Sequence, residues 1–368
     1  MFINFGQILK TRKDWQSSHC ENDFFLRNNP YIAREIAIGG TFIPENLEYE
    51  GLNNLEIINC LKYLVENLNI KHLRIGLRLN KIDLEKQDLG IYREILEYCF
   101  LQNVKLTLNL GPIKYCGWPE YHLSQTILYS IRILPKTKSI ISSDSEISIV
   151  FRNELKKLLV LLTNLYSANQ LKNIVTLQSE KEGFNPFGEY KWTFDESHIT
   201  EVISLFDIYL PNRSILFNSA GFFDIPKIVE FIKKRKDSQR FIVGLDYYYC
   251  FDKFANFRFY KWFDLLFFSW KFNNFSLITL KKLQKIYNFK IEVTEAQMEP
   301  WGKAMAPGNS VQSLKFVILR SSQFLLQNKG NINMYGLDRL AMKAIKKKLS
   351  REHIQMINLI KKIRNSQI

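Results

Sequence analysis

Two short segments of this 368-residue chain concentrate carboxylates directly after apolar, β-branched runs. The first is Gln178-Ser179-Glu180-Lys181-Glu182-Gly183, which ends the run Ile174–Gln178. The second is Thr294-Glu295-Ala296-Gln297-Met298-Glu299-Pro300-Trp301-Gly302, which ends the run Phe289–Thr294. Two converging carboxylates divide labour: one, kept protonated, donates to a leaving oxygen, and the other, ionised, attacks or activates water. That division is what glycoside hydrolysis requires. A single loop glutamate is usually a solvated surface charge, so it is the pair that counts. Trp118 and Trp301 add flat apolar faces of the kind that pack on the C–H faces of sugar rings.

Bringing residues 182 and 295 together requires a scaffold, and the chain alternates in a way that supplies one. Strand-like runs occur at Ile36–Phe42, His72–Leu79, Val104–Leu110, Ile174–Gln178, Ser214–Asn218, Phe241–Tyr248, Phe289–Thr294 and Ile332–Tyr335. Helical periodicity fills the intervals at Asn54–Leu68, Ile91–Gln102, Phe151–Tyr166, His198–Leu210, Pro226–Lys236, Phe275–Tyr287 and Ser313–Gln327. Nearly continuous apolar strands separated by helices read as a parallel sheet covered on its outside. Eight such units predict an α/β fold, a (β/α)8 TIM barrel forming a single domain over 1–342, followed by a basic helical tail over 343–368. An open doubly wound sheet is the alternative, but no Gly-x-Gly-x-x-Gly turn or Walker sequence is present. In a barrel the chemistry sits at the C-terminal strand ends, where the fourth and seventh runs lie nearly opposite one another. Ile131–Ser145, rich in Lys and Ser, reads as an exposed loop. Phe251–Phe275, dense in aromatics, reads either as the aromatic packing region of the sixth helix or as a cover over one end of the barrel.

Composition narrows the class further. Hydrophobic residues make up 46% and charged residues 24%, which excludes a disordered or fibrous chain. No run of 18 apolar residues occurs, so no membrane-spanning helix is expected. The N-terminal residues lack the pattern of a secretory signal, and the five cysteines are scattered without a Cys-x-x-Cys pair. A cytoplasmic protein without disulfides, metal or cofactor is the expectation. The net charge of +15 raises nucleic acid or an anionic membrane as partners. Residues 343–368, however, carry eight Lys or Arg against one Glu, so nearly half of the excess lies beyond the last strand. Neither partner is therefore expected, and the basic face of the tail reads as solvated, with Ile354, Met356, Ile357, Leu359, Ile360 and Ile363 packing inward.

Several segments, taken in order, resemble the clan A glycoside hydrolases, in particular a cellulase- or β-galactosidase-like bacterial branch. They are Leu108-Asn109-Leu110-Gly111-Pro112 with Trp118-Pro119-Glu120-Tyr121-His122; Ile174 to Glu182 with Phe187-Gly188; Leu216 to Gly221; Val243 to Tyr248; and Val293 to Trp301. The likeness covers roughly residues 36 to 340 and implies a retaining double displacement on a β-linked carbohydrate, with Glu295 as nucleophile and Glu182 as acid/base. By the same resemblance Arg74 would hold Glu295 ionised. Either Tyr247 or Tyr248 would bond the nucleophile. Trp118, Glu120, His122 and Asn218 would line the cleft, and Glu299 and Trp301 would back it. The chain departs from the pattern at two places. Lys181 stands where the clan has an Asn that grips the sugar 2-hydroxyl. A lysine donates but does not accept hydrogen bonds, and its charge lowers the pKa of a neighbouring Glu. Alternating strand geometry leaves open an outward-pointing Lys181. On the eighth strand Met334-Tyr335-Gly336-Leu337-Asp338-Arg339 replaces a Trp floor, with Tyr335 as a partial substitute and Asp338 and Arg339 free to pair. These departures sustain a second reading, a catalytically impaired barrel that binds a glycan or a protein partner.

Overall fold

The computed structural model describes residues 21–29, 32, 36–117, 119–121, 123, 125–219, 224–247, 274–297, 311–325 and 330–365. Ten strands are seen among them. They are β1 (Ile36–Phe42), β2 (His72–Gly76), β3 (Lys105–Asn109), β4 (Ile140–Ile141), β5 (Ile174–Gln178), β6 (Thr193–Phe194), β7 (Ser214–Ser219), β8 (Phe241–Tyr247), β9 (Lys290–Gln297) and β10 (Gly330–Tyr335). Eight close into a parallel barrel in the order β1-β10-β9-β8-β7-β5-β3-β2. The fold is a (β/α)8 barrel.

The principal helices are α1 (Asn54–Lys62), α2 (Ile91–Leu101), α3 (Glu146–Leu165), α4 (Glu196–Tyr209), α5 (Ile225–Lys233), α6 (Asn274–Tyr287), α7 (Val311–Leu325), α8 (Leu337–Ile345) and α9 (Arg351–Asn365). Local chemistry sets their starts: α1 begins at Asn54 as the sequence predicts, whereas α3 begins at Glu146 rather than Phe151 and α4 at Glu196 rather than His198. Asn53 and Glu56 form a reciprocal capping box at 3.0 and 2.9 Å, and Asp195 caps α4 through the His198 amide at 3.0 Å. Each helix then lays an apolar stripe on the sheet. In α3 that stripe is Phe151, Leu155, Leu158, Leu159 and Leu162, all fully buried.

Three expectations are corrected. Residues 131–145 are not wholly an exposed loop: Ile131 and Ile141 are buried, and β4 pairs in parallel with β6. Ile131 and Ile141 gain from burial while Lys136 and Lys138 stay exposed, so the segment buries two apolar side chains without desolvating its charges. The helix from Asn54 changes to a wider π turn over Tyr63–Asn67. In α9, Met356, Ile357, Leu359, Ile360 and Ile363 are buried against α7 and β1, whereas Ile354 is 48% exposed. Arg339 reaches Glu50 at 3.5 Å, and the Asp338 carboxylate accepts from the Ile43 and Arg339 amides. Residues 251–273 of the aromatic segment lie outside the described residues. No helix among the described residues is long and apolar enough to cross a membrane.

Candidate active site

The fourth and seventh barrel strands, β5 and β9, stand three places apart in the ring, with β7 and β8 between them. Glu295, near the C-terminal end of β9, is 1% exposed and forms a 2.5 Å ion pair with Arg74 of β2. This contact crosses the barrel interior, because β10 and β1 lie between the two strands. Arg74 Nε donates to Gln178 Oε1 at 2.8 Å, and Gln178 Nε2 donates to Asn218 Oδ1 at 2.6 Å. Burial works against the Arg74 charge, but Glu295 prevails and holds the guanidinium above its usual value.

Glu182 follows β5 by four residues. It is 1% exposed and has a φ of +46°, a left-handed backbone that non-glycine residues seldom adopt and that recurs at functional positions. Its amide donates to Asn218 Oδ1 at 2.8 Å, and its Oε2 accepts from Asn185 Nδ2 at 2.9 Å. Asn218 therefore locks the turn that aims Glu182, and its own amide donates to Asp246 at 2.6 Å.

Lys181 points inward and is 3% exposed, so the outward alternative falls. Its ammonium lies 2.8 Å from Glu120 Oε1, 3.4 Å from Glu182 Oε1 and 3.6 Å from Glu295 Oε2. Because one nitrogen touches both carboxylates, those two oxygens are no more than about 7 Å apart. Lys181 does pull the Glu182 pKa down, as expected, but burial outweighs it and the carboxyl rises above its usual range. Lys181 itself stays charged: burial opposes the charge, and Glu120, Glu295 and Glu182 together overcome it.

Several participants were not singled out in the sequence. Asp246, at the end of β8, accepts from Asn218 and from Thr294 Oγ1 at 2.5 Å. Burial, followed by the charges of Glu295 and Glu182, holds its carboxyl well above the ordinary value. Its position inside a strand run, rather than after one, hid it. Lys114 pairs with Glu120 at 3.3 Å. Glu180 is withdrawn from the cleft group: the amides of Ile113 and Lys114 bond it at 3.1 and 2.6 Å, and His198, itself bonded to Ser148, reaches it at 3.0 Å. Of the other expected residues, Tyr335 is buried on β10. Tyr247 closes β8, but its side chain lies outside the described atoms, and Trp118, His122, Tyr248, Glu299 and Trp301 lie outside the described residues altogether. Among the described residues no three His, Cys, Asp or Glu side chains form a metal-holding group. The buried atoms Glu182 Oε1, Glu120 Oε2 and Arg74 Nη2 make no hydrogen bond among the described residues, although Lys181 stands 3.4 Å from the first and Lys114 3.3 Å from the second.

No family model and no curated protein matches the chain. Among solved structures it is similar to a β-galactosidase from Bacillus circulans sp. alkalophilus, at 12% identity over 82% of this chain and 50% of that one, with a TM-score of 0.49. It is also similar to a glycoside hydrolase family 5 enzyme from Prevotella bryantii, at 10% identity over 83% and 86%, with a TM-score of 0.44. A GH30 endoxylanase from Clostridium papyrosolvens aligns at 9% identity over 87% and 73%, with a TM-score of 0.42. The chain spans 61% of a similar protein from Neocallimastix frontalis, aligned at a TM-score of 0.43. At these identities the likeness is one of fold; the barrel itself stands on its closed strand ladder.

Proposed function

We propose that this protein is a retaining glycoside hydrolase acting on a β-linked sugar, with Glu295 as nucleophile and Glu182 as acid/base. The observation that carries the reading is the convergence of two buried carboxylates, from the fourth and seventh barrel strands, on a single point. Their spacing of at most about 7 Å accommodates the ~5–5.5 Å of a double displacement. Their environments differ in the sense the reaction needs: Arg74 favours the ionised form of Glu295, and burial favours the protonated form of Glu182.

In the first step Glu295 Oε2 attacks the anomeric carbon while the Glu182 proton passes to the departing glycosidic oxygen. A glycosyl ester on Glu295 results. In the second step Glu182, now ionised, takes a proton from water, the water oxygen attacks the same carbon, and the Glu295 carboxylate leaves. Arg74 and Gln178 keep Glu295 in place through both steps. The test is turnover of aryl β-glycosides. Glu295→Gln and Glu182→Gln should each lower kcat by ~10²–10⁴ or more, and azide should restore part of the Glu182→Gln activity by replacing water. Wild-type turnover that survives both substitutions would sink the reading.

A further inference from the structure

We propose that the Lys181 ammonium is a resident cation at the reacting centre, and that it determines which ligands the cleft accepts by excluding sugars that carry a positive charge there. The inference rests on the assignment of Glu182 and Glu295 as the reacting pair. In that reaction the anomeric carbon and the glycosidic oxygen must lie within ~3–3.5 Å of the attacking and proton-donating oxygens. Lys181 Nζ stands 3.6 Å from the first and 3.4 Å from the second. The ammonium therefore stands about as far from both reacting oxygens as the bond to be cut must.

Charge makes this position consequential. The transition state of glycoside cleavage is oxocarbenium-like, so a site whose two carboxylates face the reacting carbon with no cation between them prefers a positive ligand. Ring-nitrogen sugar mimics exploit that preference. Here a protein cation already faces both carboxylates from within a fully buried cluster. A second cation about 4 Å away is strongly repelled in a water-poor site. A neutral sugar has a way in. The Glu120 carboxylate, 2.8 Å from Lys181, remains a partner for an ammonium that a neutral sugar displaces. The displaced ammonium still only donates, so the sugar substituent beside the reacting carbon must accept.

The test is calorimetry of wild type, Lys181→Asn and Lys181→Gln with gluco- and galacto-configured iminosugars and the neutral lactams of the same rings. Thermal melts confirm folding, and Lys181→Gln retains length and a donor if the shorter side chain fails to fold. Both variants should bind at least one iminosugar ~100-fold or more tightly than wild type does, with lactam affinity changed less than ~10-fold. Wild type binding iminosugars as tightly as the variants would overturn the role of Lys181 while leaving the reacting pair intact. If no form binds any iminosugar or lactam, the cleft is not a sugar site, and the reading of Glu182 and Glu295 fails together with this one.

Discussion

The barrel interior has two polar levels built on the same strands, and they solve burial in opposite ways. At the C-terminal level Arg74, Lys181 and Glu295 meet as ions beside the titratable carboxyl of Glu182. Two residues earlier on β2, His72 begins a neutral level. Its ring bonds Thr107 Oγ1 at 2.8 Å on one side and Asn331 on the other, and Asn331 donates to Asn333 at 3.0 Å. Burial, with Lys105 nearby, pushes the His72 pKa down to about 4. The lower level is held by hydrogen bonds between uncharged groups, which cost little to desolvate. The upper level keeps charges that stay buried only because each has a partner. The lower level is neutral and the upper one ionic; both leave buried polar atoms without a hydrogen bond, Asn331 Oδ1 and Asn333 Nδ2 below and Glu182 Oε1 and Arg74 Nη2 above.

The largest expected break of that contrast is Arg74→Met. It leaves the Glu295 charge buried without its arginine and should cost about 3–5 kcal/mol in urea unfolding. Adding Glu295→Leu removes the orphaned charge and should recover most of that loss, although activity would remain absent. If the single and double variants are equally unstable, the upper level is not held by its ions.

Acid should separate the levels next. A His whose folded pKa lies below its unfolded value of ~6.5 contributes stability at neutral pH that is lost as pH falls from 6.5 through 4. The His72 contribution is up to about 3 kcal/mol. The upper carboxyls have the opposite sign: Asp246 and Glu182 sit above their unfolded values, so their effect on stability is unfavourable at high pH and is relieved as pH falls. His72→Gln, which keeps a donor and an acceptor without the titration, should therefore lose less stability than wild type between pH 7 and pH 4. Unfolding curves at both pH values measure the difference, and parallel losses in the two proteins would contradict it.

A backbone detail of the lower level comes third. Gly39 of β1 lies beneath the crossing from His72 to Asn331, and a Cβ there would stand 2.4 Å from Asn333 Oδ1 and 2.8 Å from the His72 carbonyl. Gly39→Ala should cost about 1–3 kcal/mol through overpacking, read by thermal melting, with the upper site's pH profile unchanged. The smallest expected effect tests Glu180, which sits two residues from Glu182 but is bonded entirely into the scaffold. Ser148→Ala removes the 2.8 Å support of His198 and should cost about 1 kcal/mol in stability with little change in kcat. A large kcat loss with unchanged stability would move Glu180 into the chemistry.

Much of this was legible beforehand. β1 and β5 have the bounds predicted from sequence, because their β-branched runs are cut off by polar or helix-breaking residues. β9 runs three residues further, to Gln297, so Glu295 lies within the strand rather than after it. Glu182, Glu295, Arg74 and Asn218 were named from sequence and meet in space. Asp246, Gln178 and Lys114 were not singled out, since a polar residue within or next to a strand run carries no mark of which face it takes.

The sequence by itself determined the eightfold alternation, and with it which residues fall near the C-terminal ends of strands, because hydrophobic periodicity and caps act over a few residues. Only the tertiary structure decided what those residues meet. Lys181 is the clearest case. Sequence allowed it either face and assigned it a pKa-lowering effect on its neighbour. Closure of the barrel buried it among Glu120, Glu182 and Glu295, and in that enclosure desolvation outweighs the single ion pair and reverses the net shift of Glu182. Desolvation and charge depend on everything within several ångströms, and that neighbourhood is assembled from strands more than a hundred residues apart in the chain.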